Sequence, residues 1–532
     1  MICASQLKER QSRFNITLCS VILFSFVSYL ILCEIQSIFV KRIFLSIKYF
    51  KMSNYKIYIL YIFDSLYGIL YMEGRVMKDI FLVNYSVKGI KSLKELVSLS
   101  FYNKTISKMM DTQKYSVKGI YGMNGSGKSA IIASIDILRS ILLYSDYFTN
   151  DLVQRNLNEM INKNSEELFM EADFVTNYEE KVLYFRYQIN VTKNKVGKYI
   201  IAYEKLATKK ASSKTDDMET IFEVNHGDLQ TIYSKNSNGL SDLVAQKTLN
   251  LLTNSSLPAL FMNNVYDLNL DDSLLKDNPL FRAIGSLVLF GSKLHVYFDQ
   301  SDVHGDYFLT NSFQYMESID FKDAEYARLI NRFLKMNDDT LNVIKISNNY
   351  ILEKNYAQFI NAIEKMCEFI RIFKTDLVSI DIDKKVNKDL FICNLVMNYG
   401  DYRVDAEFES TGIKKLIKLY AYVHEMAHGD IVFIDELDSN LHDVYLCALL
   451  EYLMEYGKGQ LCFTTHNVGP MEVLKRHKKS IDFLSTNGKV TSWVKNGNYS
   501  PSHLYRNGMI DGSPFNVDSI DFIPIFGIVE ED

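Results

Sequence analysis

The pattern of apolar and polar positions changes character several times along the chain. Residues 14–33 form an uncharged, largely apolar run; as a helix it would span about 30 Å, the thickness of a bilayer core. Residues 57–72 form a second apolar run, broken by Asp64. From Asp79 onward the pattern is that of a water-soluble α/β protein. Residues 79–101 read as two strands with turn signals at Lys88-Gly89 and Lys91-Ser92, and 117–121 as a short strand followed by a helix from about Ala130. Strict alternation of Leu183, Phe185, Tyr187, Ile189 and Val191 with polar neighbours predicts a β-hairpin over 168–191, turning at 176–180. A further strand is expected at 198–206, and a polar loop at 234–239. Helical spacing dominates 274–373, as in 324–334 and 357–373, and strand patterns return at 377–382 and 390–397. Ile413, Leu416, Ile417, Tyr420 and Val423 mark an amphipathic helix. The unbroken apolar run Ile431-Val432-Phe433-Ile434 reads as a buried parallel strand, and 461–465 as another. The sequence shows no internal repeat and no long heptad pattern.

The apolar leader has two readings. Lys8, Arg10 and Arg13 precede the first run, and Lys41, Arg42, Lys48 and Lys51 follow it, so charge leaves the orientation of a membrane anchor open. No small-residue cleavage site follows, which disfavours a removable signal peptide. The other reading is a mis-assigned start. Met72-Glu73-Gly74-Arg75-Val76-Met77 can be encoded by a message with GGAGG just ahead of an ATG, and translation from Met77 would open directly on the soluble pattern. Residues 1–76 are then not part of the protein in the cell, and peptides from 54–75 in native material would contradict this.

Composition narrows the class. At 532 residues, with 48% hydrophobic and 23% charged residues, the chain has room for more than one lobe around a large core. A net charge of −5 argues against a broadly basic nucleic-acid surface, although Lys475-Arg476-His477-Lys478-Lys479 is a local basic patch that reads as a solvated helix end. Seven scattered cysteines with no C-x-x-C pair argue against a disulfide framework or a zinc ribbon and fit a reducing compartment, so a cytoplasmic location is expected, with anchoring through 14–33 as the alternative.

Two clusters carry chemistry. Gly122-Met123-Asn124-Gly125-Ser126-Gly127-Lys128-Ser129 fits G-x-x-x-x-G-K-S, a phosphate-binding loop, between a strand and a helix as the motif requires. Backbone N–H groups of Gly122, Asn124, Gly125, Ser126, Gly127 and Ala130 would cradle phosphate oxygens, Lys128 would reach the β- and γ-phosphates, and Ser129 would hold Mg²⁺. In the second cluster, Asp435-Glu436 ends the apolar strand, at the edge where open α/β sheets bind ligands. Asp435 would hold Mg²⁺, and Glu436 would polarise an attacking water. Ser410 is a natural N-cap for the amphipathic helix, and with Gly412 it makes a second anion site. His466 ends the following strand.

The order of these motifs resembles the ABC-type ATPases, in particular the RecF/SMC/OLD branch. Glu409-Ser410-Thr411-Gly412-Ile413-Lys414-Lys415-Leu416, Ile434-Asp435-Glu436-Leu437-Asp438 and Thr464-Thr465-His466-Asn467 are similar to the single-chain ATPases of OLD-like and abortive-infection phage-defence systems. The resemblance implies a Walker A motif at 122–129, a signature at Ser410-Thr411-Gly412, Walker B at Asp435-Glu436, a D-loop at Leu437-Asp438-Ser439 that brings Asp438 to the nucleotide, and a switch histidine at His466. The family's Q-loop glutamine has no clear match; Gln188 is the candidate. The implied fold is an α/β P-loop NTPase of the ABC-head type. Its head is assembled from 77–145 and 401–532, with a β-rich and then helical insertion at 146–400. The implied function is binding and hydrolysis of ATP with Mg²⁺ by a homodimer or higher oligomer that sandwiches ATP, as a nucleotide-gated sensor or regulator in anti-phage defence. No further domain is expected after His466, so the effector would be a separate protein.

Three other readings compete. His424-Glu425-Met426-Ala427-His428 fits the zinc-protease pattern H-E-x-x-H, against which stand the helix end at Gly429-Asp430 and the lack of a recognisable third ligand. A RecF/SMC-like DNA-repair or clamp ATPase would make nucleic acid a partner. A transporter's ATPase subunit would make the membrane one, if 1–76 are real.

Overall fold

A computed structural model describes residues 80–102, 112–178, 181–234, 251–264, 279–298, 344–353, 356–387, 390–477, 479–494 and 499–514, together with Asp242 and Ala245. All of them belong to one unit of the chain, Ile57–Asp532. Both apolar runs of the leader, the expected helix at 324–334 and most of the loop at 234–239 lie outside the described residues. Among the described residues, no helix is long and apolar enough to cross a membrane.

In chain order the strands are β1 (Ile80–Lys88), β2 (Val97–Ser100), β3 (Val117–Tyr121), β4 (Glu167–Tyr178), β5 (Lys181–Lys193), β6 (Tyr199–Lys210), β7 (Glu219–Asn225), β8 (Asp228–Ile232), β9 (Leu294–Tyr297), β10 (Asn349–Leu352), β11 (Ser379–Asn387), β12 (Leu390–Asn398), β13 (Arg403–Asp405), β14 (Ile431–Ile434), β15 (Gln460–Thr464), β16 (Ile481–Leu484) and β17 (Val490–Ser492). The helices that matter here are α1 (Lys128–Leu143), α2 (Asp151–Met160), α3 (Leu257–Asn264), α4 (Pro279–Ser292), α5 (Tyr356–Phe373), α6 (Thr411–His428) and α7 (Asp443–Tyr456).

The strands form three sheets. The central one runs β17-β16-β3-β15-β14-β9, parallel except for β17. Its middle strands β3, β14, β15 and β16 are buried at every residue, as a parallel sheet covered on both faces must be. Successive side chains of β14 enter different cores. Ile431 and Phe433 pack with α1, α4 and the antiparallel sheet, whereas Val432 and Ile434 pack with Leu446, Leu450 and Phe483 on the opposite face. The second sheet is an antiparallel run, β2-β1-β4-β5-β6-β7-β8. It closes over α1, which is buried along almost its whole length, and Phe174 of β4 stacks on Phe290 of α4 at 4.4 Å. The third sheet, β10-β12-β11 with β13, backs onto α5 and α6 through Cys393, Leu395, Met397, Ile413 and Leu416.

The expected hairpin, the loop-flanking strand and helix, and the two strands that lead into them all form. Two placements were not foreseen. β9 lies inside the 146–400 segment yet joins the central sheet beside β14. Likewise, β1 and β2 of the first block share the antiparallel sheet with β4 to β8. β9 is only four residues long and contains a histidine, so its sequence carries no signal of a central strand.

One side chain joins the two large sheets. Gln460, at the start of β15, donates from Nε2 to the Leu82 carbonyl at 2.9 Å and accepts from the Leu82 N–H at 2.7 Å. This pairing sits beside the break in register between β1 and β4 at Leu82 and Asn84, so a buried amide takes the place of a missing strand partner. Gln460→Leu orphans both backbone groups. It is expected to destabilise the protein by about 1–3 kcal/mol per group, read as a lower midpoint in urea unfolding.

Candidate functional site

The phosphate-binding loop leaves β3 at Tyr121 and enters α1 at Lys128. Gly127 caps the helix with φ +104°, and a Cβ there would lie 2.4 Å from Leu93 Cδ2. A Cβ on Gly122 would lie 2.4 Å from the Leu484 carbonyl oxygen. Any side chain at either position would push the loop off its supports, which is why the motif holds glycine there. Lys128 is folded onto the loop, its Nζ donating to the carbonyls of Gly122 at 2.9 Å and Met123 at 3.1 Å. Burial lowers its pKa from the usual lysine value, and the carboxylates of Asp435, Glu436 and Asp438 oppose that shift.

The loop opens into a cavity of ≈ 400 Å³ lined by Asn124, Gly125, Gly127, Lys128, Ser129 and Ala130 together with Glu436, Thr464 and His466. Lys91 and Ser92, from the turn between β1 and β2, complete the rim. Gly122, Ser126 and Asp435 are buried directly behind this lining. Two polar atoms there have no hydrogen-bond partner: Ser126 Oγ and Asp435 Oδ2. Such atoms are costly in a folded interior and point to a ligand or ion that would satisfy them. Ser129 on the cavity wall and the buried Asp435 offer a hydroxyl and a carboxylate, an all-oxygen set that suits a hard cation such as Mg²⁺.

Asp435 and Glu436 follow β14 directly. Asp435 Oδ1 accepts from Thr464 Oγ1 at 2.5 Å, and the Asp435 N–H donates to the Tyr297 carbonyl of β9 at 2.9 Å. Glu436 has φ +47°, in the left-handed region that costs a residue with a side chain about 1–3 kcal/mol. Its N–H donates to Thr464 Oγ1 at 2.8 Å, and its carbonyl accepts from Lys415 Nζ at 2.6 Å. Lys415 is a buried lysine of α6 that also bonds Ser439, so α6 supports the turn after the glutamate.

Ser410 caps α6, its Oγ accepting from the Ile413 N–H at 3.4 Å. The first turn of α6 packs on the 436–440 turn. A Cβ on Gly412 would lie 3.0 Å from the Asn440 carbonyl oxygen, and Thr411 Oγ1 donates to Asn440 Oδ1 at 3.3 Å. Ser410, Gly412 and Asp438 do not line the cavity, and Ser410 is exposed. His466 lines it from an exposed position. Its pKa is lowered, chiefly by desolvation and further by Lys128, against the pull of Asp438 and Asp435, a direction that favours the neutral ring.

Gln188 is elsewhere: in β5, with its amide donating to Glu171 Oε2 at 2.6 Å, outside the cavity. In the H-E-x-x-H stretch, the His424 and His428 rings stack at 4.0 Å, and His428 Nδ1 lies 2.7 Å from the His424 carbonyl oxygen. Glu425 is buried on another side of α6, grouped with His295 and Asp430. Asp430 is engaged there by Lys293 and His295, both at 2.7 Å, and among the described residues the group includes neither histidine of the motif.

Of the motif residues, Lys128, Ser129, Glu436 and His466 line the cavity and Asp435 is buried; Lys91, Ser92 and Thr464 line it as well. The sequence marks Lys91-Ser92 only as a turn, and it assigns no role to Thr464 or Lys415 within their motif phrases. Lys415 lies at an a-priori unremarkable lysine in a lysine-rich helix, and only its burial singles it out.

Residues 297–471 match the family described as "AAA domain, putative AbiEii toxin, Type IV TA system". The span runs from the end of β9 past His466 and includes Ser410, Asp435 and Glu436; the phosphate-binding loop precedes it. No curated protein matches the sequence. Among solved structures, the chain is similar to the recombination mediator protein RecF of the RecFOR pathway with ATPrS, at 12% identity and a TM-score of 0.31, covering 74% of this chain and 94% of that one. It is also similar to RecF with ATP, at 11% identity and a TM-score of 0.27, covering 73% and 94%. Residues 297–471 are thus similar to an AAA domain, and they contribute strands to the central parallel sheet that also carries the G-x-x-x-x-G-K-S loop.

Proposed function

We propose that this chain binds ATP with Mg²⁺ and hydrolyses it, and that ATP joins two copies head to tail. The observation that supports this most strongly is the convergence of Lys128, Ser129, Glu436 and His466 on one cavity, backed by the unsatisfied Asp435 Oδ2. Lys128 leaves the carbonyls of Gly122 and Met123 to meet the β- and γ-phosphates, while the N–H groups of the loop and of the α1 N-terminus hold their oxygens. Ser129 and Asp435 would hold Mg²⁺, whose charge would offset that of the phosphate oxygens. Glu436 orients the attacking water and takes its proton, and neutral His466 donates a hydrogen bond to the γ-phosphate.

Ser410 and Gly412 complete the site from a second copy. They form a helix N-terminus with an exposed serine, suited to an anion, yet the cavity of their own chain is lined without them. The N-cap bond within α6 is long, at 3.4 Å, and leaves the hydroxyl able to turn to a phosphate. ATP then acts as an adhesive between subunits, and hydrolysis releases them.

The biological reading is a nucleotide-gated regulator in anti-phage defence that acts with a separate effector protein. It is supported by the likeness of the three motif phrases to abortive-infection ATPases and by the family description of residues 297–471. ATP-stimulated, salt-dependent binding to duplex DNA would favour a DNA-repair role instead.

Fluorescent-nucleotide titration tests the site. Lys91 is exposed and lines the cavity, so Lys91→Ala is expected to weaken ATP binding about 3- to 10-fold and AMP binding much less. Equal affinity of parent and variant for ATP would remove Lys91 from the site. Failure of the parent to bind ATP at all would contradict the function.

A further inference from the structure

We infer that Thr464 is a positioning residue that sets Asp435 and Glu436 for their separate tasks. The inference rests on the ATPase reading above, since it assigns those tasks. Thr464 is the last residue of β15 and wholly buried, and it reaches the cavity wall. β15 lies between β3, which carries the phosphate-binding loop, and β14, which carries the two acids. The parallel register pairs Ile434 with Phe463, so the next step of the ladder sets Thr464 beside Asp435.

At that step the ladder changes from backbone to side chain. Glu436 turns into the left-handed region, and its N–H is taken by Thr464 Oγ1 at 2.8 Å. Beyond it, the Leu437 N–H donates to the Thr464 carbonyl at 3.1 Å. The Thr464 hydroxyl has one proton. The hydroxyl accepts the Glu436 N–H on one lone pair and gives its own proton to Asp435 Oδ1, a carboxylate acceptor. One oxygen thereby fixes two acids. Asp435 is held as an acceptor with Oδ1 engaged and Oδ2 bare, and Glu436 is held in a strained turn that the chain would otherwise relax. The Thr465 N–H, donating to the Ile120 carbonyl at 3.3 Å, ties the same strand end to β3, so the acids are registered against the phosphate-binding loop.

The arrangement separates two properties. Phosphate binding rests on the loop and Lys128, which Thr464 does not touch through any of these bonds. Metal engagement and water activation rest on Asp435 and Glu436. Thr464→Val keeps the volume and removes the hydroxyl, leaving the Glu436 N–H and Asp435 Oδ1 without that partner. We expect kcat for ATP to fall about 10- to 100-fold, by loss of a hydrogen bond to a charged group together with relaxation of the turn. KM should rise only as far as the Mg²⁺-dependent part of the affinity is lost. Affinity for a fluorescent ATP analogue in EDTA should match the parent, which also reports that the variant is folded, whereas the gain in affinity on adding Mg²⁺ should shrink. Thr464→Ser, which restores the hydroxyl, should recover most of the turnover and the Mg²⁺ effect.

Parental turnover in Thr464→Val would overturn the inference. So would equal impairment in Thr464→Val and Thr464→Ser, because packing and not the hydroxyl would then matter. Glu436→Gln run in parallel separates the two levels: if it is inactive while Thr464→Val is parental, the positioning role fails and the ATPase reading stands. If Glu436→Gln turns over ATP like the parent, the ATPase reading itself fails.

Discussion

Glu436→Gln is expected to cut steady-state ATP turnover by about 10²- to 10⁴-fold while leaving ATP binding intact. The substitution keeps the size of the side chain and replaces its carboxylate with a hydrogen-bonding amide, which cannot take a proton from water. Nothing in the turn should change. The Glu436 N–H bond to Thr464 and the carbonyl bond from Lys415 are both made by the backbone, and a glutamine can occupy φ +47° as a glutamate does. ATP should therefore bind, join two copies and stay unhydrolysed. Phosphate release read together with light scattering on a sizing column tests both halves: no phosphate, and an ATP-dependent doubling of mass. Turnover at the parental rate would remove Glu436 from the chemistry.

The second large effect is on stability. Lys118 in β3 and Asp482 in β16 form a buried ion pair at 2.6 Å inside the central sheet, with Ser492 Oγ donating to the other carboxylate oxygen at 2.5 Å. The Lys118 ammonium also bonds the Lys479 carbonyl and lies 5.4 Å from the centre of the Phe101 ring. Lys118→Met leaves a carboxylate buried without its counter-charge, which costs about 3–5 kcal/mol. The pair as such need not stabilise, because both charges had to leave water. Lys118→Met combined with Asp482→Leu should therefore recover most of the loss. Chemical denaturation of the two variants measures this. A single variant as stable as the parent would mean that Asp482 reaches water or a proton in the folded state.

Local signals made much of the architecture legible. The phosphate-binding loop is a contiguous motif whose glycines are demanded by nearby atoms, Leu93 and the Leu484 carbonyl, so its sequence is restricted wherever the fold occurs. β14 and β15 are buried on both faces, and their apolar runs announce it. Other features depend on distant pairings and leave little trace in any one stretch. β9 joins the central sheet through backbone bonds to β14, 137 residues away at Leu294 and Ile431, and Gln460 serves β1 from the far side of the chain. Lys415 and Thr464 act on Glu436 through single polar atoms, in helix and strand contexts where lysine and threonine are common. The proposed sharing of the site between copies was suggested by motif order, and the exposed N-cap at Ser410 gives it a physical basis.

The head-to-tail composite site is the central claim, and mixing two disabled variants tests it most directly. Lys128→Ala lacks a working phosphate loop, and Ser410→Arg blocks the helix start that would meet the partner's phosphate. Each alone should be inactive in single-turnover hydrolysis of ATP. In a mixed dimer, one site would combine the intact loop of the Ser410 variant with the intact α6 start of the Lys128 variant. The account predicts that hydrolysis returns on mixing and depends on the ratio of the two proteins. No recovery at any ratio, with both variants folded and able to assemble, would contradict it.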